Sequence, residues 1–389
     1  MTDTRDFDII VYGASGYTGR LVAEYLAKTA PDGIKWAMAG RNEVKLAEVR
    51  DEIGAPADTP IVVADADKPE TIGAMAESTK AVITTVGPYQ LYGEPLVAAC
   101  AKAGTDYVDL CGEPAWMRQM IDKYHDQARD SGARIVFSCG FDSIPFDCGV
   151  WFVEEAAKDA FGAPAPRVRG RVRAMEGKFS GGTAASLKAT MAAAAQDPEV
   201  VKLLVDPFAL TPGHSGAEQP RGDDISHEDD IGSWTAPFIM AAINTRNVLR
   251  SNFLLGQPWG DDFTYEEKMM TGPGDAGEAA AKGVASANPL GGDDAPKPGE
   301  GPTKEERENG FYDVLFIAEK DGESVRASVK GDRDPGYGST SKMIVESALC
   351  LVEDLPKSEG GIWTPAALMA APLIKRLEER AGLTFSREG

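Results

Sequence analysis

The sequence predicts an α/β protein: a Rossmann-type doubly wound parallel sheet, then a second region, then a helical C-terminal end. Three observations carry this prediction. Apolar, strand-like runs alternate with helical patterns over residues 7–140, the signature of βαβ units. A turn with three glycines joins the first strand to the first helix. The alternation then stops, although the chain runs to 389 residues, a length that favours two domains or one domain with a large insertion.

The elements follow in order. FDIIVYG, KWAMAGR, PIVVAD, AVITTVG, DYVDLCG and ARIVFSCG read as strands. Between them RLVAEYLAK, NEVKLAEVRDEIG, PETIGAMAEST, EPLVAACAKAG and PAWMRQMIDKYHDQARDSG read as helices, several stopped by glycine at Gly54, Gly104 and Gly132. A helix over 147–160 leads to PRVRGRVRAMEG, a strand, and KFSGGTAASLKATMAAAAQ, a glycine-led helix. Residues 205–265 are mixed, with strand-like pieces such as FIMAAINTR, and 271–310 form a long Gly-, Pro- and acid-rich excursion. YDVLFIAEKDGESVRASVKGD reads as a hairpin turning at Lys320-Asp321-Gly322. GSTSKMIVESALCLVEDL is apolar nearly all round and reads as a buried helix; TPAALMAAPLIKRLEERAG opens on Thr364 as N-cap with Pro365 at the first helical position. The expected domains are 1–148, 149–338 and 339–389.

Composition narrows the function. A formal charge of −21 argues against a general nucleic-acid binder. No apolar run approaches the ~18–20 residues of a membrane span, and the polar start MTDTRDFD is no signal peptide. The five cysteines are odd in number and form no CxxC, which suits a reduced, cytoplasmic protein; a reactive Cys139 is a minor alternative. With only His125, His214 and His227, a His-rich metal site is not expected, and His125 reads as a surface residue.

GASGYTGR, residues 13–20, poses the functional question. Gly13 and Gly16 allow a tight turn and a close backbone approach, and Gly19 lets the helix press on the strand. The helix start offers unpaired N–H groups and partial positive charge to a pyrophosphate. Gly-x-x-Gly-x-x-Gly is an NADP-type variant of the dinucleotide fingerprint; the alternative is a glycine turn in a cofactor-free α/β domain. The second strand selects between dinucleotides. An NAD site places an acid there, against the ribose 2′-OH. Here the strand ends in Arg41-Asn42, with Glu43 already in the next helix. A guanidinium matches a 2′-phosphate, so NADP(H) is expected, the alternative for Arg41 being a solvated loop charge. Asp65, ending the third strand, is placed near the adenine. Gly87 and Pro88, with Val86 and Tyr89, are placed near the nicotinamide half.

Together GASGYTG, AGRN, TTVGPYQLYGEPLVAACAKAGTDYVDLCGE and CGFDSIPFDCG resemble the saccharopine dehydrogenase-like oxidoreductases, on the branch holding the trans-acting enoyl reductases. The resemblance spans about residues 7–190 and returns at DPGYGSTSKMIVESALCLVED and GGIWTPAALM. It implies an NADP-binding Rossmann domain, with Gly13, Ser15, Gly16, Tyr17, Thr18, Gly19 and Arg41 as cofactor contacts, a second α/β domain closing over the nicotinamide, and C-terminal helices that return to the first domain. It brings neither a fixed catalytic motif nor a single substrate. Residues 205–310 lie outside it and are candidates for setting specificity.

Three segments are placed to face the nicotinamide: Gly87 to Tyr89, Cys139 to Ser143, and Gly181 to Thr183. Hydride transfer to an activated double bond needs a proton donor and a group that polarises the carbonyl. Tyr89 or Asp142 would donate the proton, and the N–H groups of Gly182 and Thr183 would hold an oxyanion. Each has a plainer reading: a core aromatic, a turn acid, and ordinary capping. Tyr89, Phe141 and Phe179 would suit an apolar acyl chain, while Lys178 reads as a surface lysine. Arg167, Arg169, Arg171 and Arg173 alternate along one strand and so share a face. They read either as a sheet face paired with local acids or as an anion-binding face.

The expected function is an NADPH-dependent oxidoreductase reducing a conjugated C=C or C=O of an acyl or lipid-like substrate. The alternatives are a saccharopine-type amino-acid or imine dehydrogenase and, in another class, a non-catalytic NADP-binding scaffold or sensor. The expected partner is a small-molecule substrate, with no nucleic acid and no metal. Peripheral membrane contact and a homodimer stay open.

Overall fold

The computed structural model describes residues 5–177, 181–287, 301–355 and 358–389. Its first half alternates as the sequence predicts. β1 (Phe7–Tyr12), α1 (Tyr17–Thr29), β2 (Trp36–Gly40), α2 (Glu43–Glu52), β3 (Ile61–Val63), α3 (Pro69–Glu77) and β4 (Thr79–Thr84) lead through α4 (Tyr89–Tyr92) and α5 (Glu94–Ala103) to β5 (Asp106–Val108), α6 (Pro114–Ser131), β6 (Arg134–Val136) and α7 (Ile144–Phe161). The second half holds β7 (Arg167–Glu176), α8 (Gly181–Gln196), α9 (Pro198–Val205), β8 (Ser226–Glu228), β9 (Ser233–Pro237), α10 (Ala241–Leu254), β10 (Thr264–Gly272), α11 (Gly274–Ser286), α12 (Lys304–Asn309), β11 (Phe311–Lys320) and β12 (Glu323–Gly331). α13 (Thr340–Leu349), β13 (Gly361–Trp363), α14 (Pro365–Arg376) and β14 (Leu383–Glu388) end the chain.

Two seven-stranded sheets result. The first runs β13-β6-β5-β4-β1-β2-β3, all parallel. This is the Rossmann order with one strand added, and the order reverses between β1 and β4, where such sheets bind ligands beyond the strand ends. Ile9, Ile10 and Val11 of β1 are fully buried, as a strand covered on both faces requires. The second sheet runs β14-β12-β11-β7-β10-β9-β8 and is antiparallel except for the β7–β10 pair. One hydrophobic cluster joins the two halves: Val108, Val136 and Phe141 belong to it, as do Val168, Tyr265 and Phe316. Gly149 of α7 permits this packing, since a Cβ there would stand 2.4 Å from the Phe316 ring.

The C-terminal segment serves both sheets. α13 packs on α1 and on β4 and β5. β13 joins the first sheet beside β6, and β14 joins the second beside β12. The predicted hairpin turns at Asp321 and Gly322, both with positive φ (52° and 85°), the backbone of a two-residue type I′ loop. Thr364 caps α14 from the side chain, with Pro365 in the first turn.

Two expectations need correction. FIMAAINTR does not form a strand: Ala241 onwards is the nearly buried helix α10, where tertiary packing overrides the local preference of Ile243 and Thr245. His125 is not a free surface residue; it is half-buried, and its Nδ1 accepts the Ile362 N–H at 3.1 Å, holding β13 at the sheet edge. The excursion contributes α11 and α12, the latter closed by a Thr303–Glu306 capping box.

Candidate active site

The glycine-rich turn lies at the carboxyl end of β1. Gly13 has φ of +89°, a conformation that favours glycine, and its carbonyl accepts from Gly16 N at 2.9 Å. A Cβ on Gly19 would stand 2.1 Å from that same carbonyl oxygen, so only glycine lets α1 begin this close to the strand. No side chain caps α1 and no acid stands in its first turn. The N–H groups from Ser15 through Gly19 therefore lie around a positive helix end suited to a pyrophosphate. Ser15, Tyr17 and Thr18 are half-buried in this turn and Gly16 is exposed at its tip.

The neighbouring strand ends supply the rest of the cradle. Arg41 follows β2, is exposed, and forms no ion pair among the described residues. Asn42 caps α2, accepting from Lys45 N at 3.0 Å. Asp65 shapes the turn after β3, its carboxylate accepting from Asp67 N at 3.2 Å. Burial and the charge of Asp65 push the Tyr12 hydroxyl up to about 12, with Arg41 acting the other way, so the three share one corner. Across the sheet, Val86 touches the Gly13 turn: a Cβ on Gly13 would lie 2.8 Å from its Cγ2. Gly87 and Pro88 continue from it at the rim.

Tyr89 is buried, and its ring packs on Trp116 with centroids 5.8 Å apart. Its hydroxyl donates to the Thr84 carbonyl at 3.3 Å and accepts the Leu110 N–H at 3.0 Å. Burial raises its pKa well above the ordinary value. These contacts fit the core-aromatic reading and leave no hydroxyl donor for a substrate. Glu113, which sequence reasoning passed over, organises this corner. It is buried and accepts from Tyr89 N at 2.9 Å, Gln90 N at 2.8 Å and the Ser186 hydroxyl at 2.6 Å. Gln90 in turn donates to Thr190 at 3.0 Å, so α8 docks on α4 through polar contacts. Thr183 is half-buried in the first turn of α8. Lys178 and Phe179 lie outside the described residues.

Asp142 lies between β6 and α7. Its Oδ1 is sealed from solvent and has no hydrogen-bond partner among the described residues. Burial raises its pKa to about 7. Inner-face residues of the second sheet and α10 stand beside it. Glu267 is buried and held by the Tyr265 hydroxyl at 2.8 Å and Asn244 Nδ2 at 2.9 Å. Burial first, with the nearby Asp142 charge adding, raises Glu267 to about 8. Asn247 Nδ2 donates to the Ser143 hydroxyl at 2.7 Å. The Oδ1 atoms of Asn244 and Asn247 are also buried without partners, making this corner rich in acceptors. The sequence offered no signal for Glu267, Asn244 or Asn247, which lie more than a hundred residues from Asp142. Buried aromatic rings pack next to it: Phe141 meets Tyr312 at 4.9 Å and Phe146 at 5.3 Å, and Phe146 meets Phe238 at 5.6 Å.

The arginine stripe takes the plainer of its two readings. Arg169 pairs with Glu228, Asp230 and Glu319, Arg171 with Glu228 and Glu266, Arg173 with Asp313 and Glu388, and Arg167 with Glu319. Strand alternation puts them on the sheet face opposite Val168, Gly170 and Val172, away from Asp142. Cys139 is buried, and burial holds its thiol well above the ordinary range, against a reactive thiolate. No group of His, Cys, Asp and Glu able to hold a metal occurs among the described residues.

Known proteins share this architecture. The family profile of the saccharopine dehydrogenase NADP-binding domain matches residues 9–136. A Mycobacterium tuberculosis protein named provisionally as a trans-acting enoyl reductase is 43% identical, over 97% of both chains. A trans-acting enoyl reductase of Mycobacterium ulcerans is 39% identical over 96% of both chains. Among solved structures, the L-Glu-forming saccharopine dehydrogenase of Saccharomyces cerevisiae superposes with a TM-score of 0.56 at 11% identity, covering 98% of this chain and 99% of that one, a likeness of fold.

Proposed function

The chain belongs to the saccharopine dehydrogenase-like oxidoreductases, beside the trans-acting enoyl reductases, and on that footing we propose that it reduces the conjugated double bond of an acyl, lipid-like substrate with NADPH. It is an NADP-dependent oxidoreductase of that family. When bound, the dinucleotide supplies a hydride to the substrate's β-carbon. The chain's own residues do the rest. The α1 start and Gly13–Gly19 hold the phosphates, Arg41 takes the 2′-phosphate, and Gly87 and Pro88 border the nicotinamide half. Asp142 holds a proton near neutral pH and delivers it to the adjacent carbon. The N–H groups of Gly182 and Thr183 are the proposed holders of the carbonyl oxygen as charge develops there.

The observation that carries this reading over the amino-acid alternative is the pairing of the arginine stripe. A substrate with two carboxylates needs free cations, and those of β7 face away from Asp142 and are paired with acids. Around Asp142 stand aromatic rings, the amides of Asn244 and Asn247 and the raised carboxyl of Glu267, with no free cation for a second carboxylate among them. The test gives the protein NADPH with an enoyl thioester, and separately lysine with 2-oxoglutarate, and saccharopine with NADP. Loss of nicotinamide absorbance with the enoyl thioester alone is expected. Turnover only in the amino-acid assays would overturn the proposal.

A further inference from the structure

α12 belongs to the excursion of the second half, yet it packs on the glycine-rich turn of the first. Arg307 makes the contact. Its Nη1 donates to the Tyr17 hydroxyl and to the Pro302 carbonyl, each at 2.7 Å. Its guanidinium carbon stands 5.8 Å from the Tyr17 ring centroid, and the Tyr17 hydroxyl donates to Pro302 as well. Tyr17 is the first residue of α1, and the Tyr337 ring meets it edge-on at 4.7 Å. The segment comes so close that a Cβ on Gly301 would lie 2.5 Å from the Tyr17 ring. A cation from a distant part of the chain thus stands at the helix start that offers its N–H groups outward.

The charges around it say what this cation meets. Arg20, also 5.8 Å from the Tyr17 ring, pairs with Glu52 at 2.5 Å. Arg307 is half-buried and has no ion pair among the described residues, although acids outnumber lysine and arginine 61 to 40 in the chain. The Asp334 carboxylate shares this corner but accepts from the N–H groups of Tyr337 and Gly338 at 3.2 and 2.6 Å. A cation beside a helix N-terminus meets charge of its own sign, and an anion between the two relieves both. Nε and Nη2 of Arg307 hold no partner among the described residues and can form the planar fork that fits phosphate oxygens.

We infer that Arg307 completes the pyrophosphate site, reaching over Tyr17 to clasp the bridging phosphates that the α1 start holds from the other side. This rests on the chain binding NADP(H). It gives the 301–310 segment a part in cofactor retention, where the sequence had suggested substrate specificity.

Pyrophosphate is common to NADPH and NADH, and the 2′-phosphate is not. The dissociation constants of both are measured by nicotinamide fluorescence for wild type, Arg307→Ala, Arg307→Lys and Arg41→Ala, with circular dichroism as the folding control. Arg307→Ala should weaken both dinucleotides by the same factor, about 10- to 150-fold for a lost charge-assisted contact, with Arg307→Lys in between. Arg41→Ala should weaken NADPH alone. Unchanged affinities in Arg307→Ala, or a loss confined to NADPH, would overturn the clasp. If Arg307→Ala does not fold, wild-type affinity in folded Arg307→Lys for both dinucleotides overturns it instead. Wild-type protein that binds neither dinucleotide would refute NADP binding itself, and the clasp with it.

Discussion

Asp142 sits where a carboxyl is easier to keep protonated than ionised. Its pKa is raised to about 7 by burial; as the proposed acid it would act while protonated, so reduction should be fastest below about pH 7 and fall as pH rises through that value. Asp142→Asn should cost roughly 10²- to 10⁴-fold in kcat and abolish this limb of the profile. A variant that keeps both rate and pH profile would place the proton donor elsewhere. Tyr89→Phe should behave in the opposite way. It leaves the buried Leu110 N–H without its acceptor, which costs about 1–3 kcal/mol of stability, while turnover per folded molecule persists. Denaturant unfolding beside a rate assay separates the two residues. The sequence nominated both because both follow a strand of the parallel sheet. It could not tell them apart, because what differs is the partner: a backbone amide for one hydroxyl, and none for the Oδ1 of the other.

At the scale of elements, the two later glycines of the phosphate turn should fail differently. A Cβ on Gly16 meets only the Gly13 carbonyl oxygen, at 3.3 Å, whereas one on Gly19 would lie 2.1 Å from that atom. Gly16→Val should fold and lose cofactor binding, because its side chain would occupy the proposed phosphate position at the exposed helix end. Gly19→Val should disrupt the β1–α1 contact itself and lower the melting temperature. Calorimetric titration with NADPH and thermal melts read the two effects, and a Gly16→Val protein that binds normally would move the phosphates elsewhere. The β–α alternation was legible because period and glycine stops agree along residues 7–140. α10 was not, because its buried Asn244, Arg246, Asn247 and Arg250 break the apolar stripe that marks a helix. Arg250 uses its guanidinium on the carbonyls of Leu210 and Ile362, partners far away in sequence. α12 carried a readable sign, since Thr303 with Glu306 is a capping box, but it lay in an acidic, proline-containing stretch that reads as a loop.

For the whole molecule, buried carboxyls set the pH dependence of stability. Asp142 is raised to about 7, and Glu267 and Glu154 to about 8, above the ~4 of unfolded chains. A group whose folded pKa is raised stabilises the native state fully below the unfolded value, and the contribution disappears as pH rises through the folded value. Glu388 works in reverse: hydrogen bonding to Arg173 lowers it to about 2, so its contribution is lost as pH falls below about 4. The melting temperature should therefore peak near pH 4 and decline from there to about pH 8; a flat or rising profile over that range would contradict the raised pKa values of these groups. The sequence by itself determined the parallel sheet, the glycine-rich turn at its first strand and the family, and it nominated Arg41, because these depend on local periodicity and on residues within about thirty positions of one another. Only the tertiary structure decided that the arginine stripe is paired on the far face, that Glu113 and Glu267 join the site, and that Arg307 reaches the phosphate turn. Each depends on which charges meet across the fold, and a chain carrying 61 acids and 40 lysines and arginines allows far more pairings than its sequence can choose among.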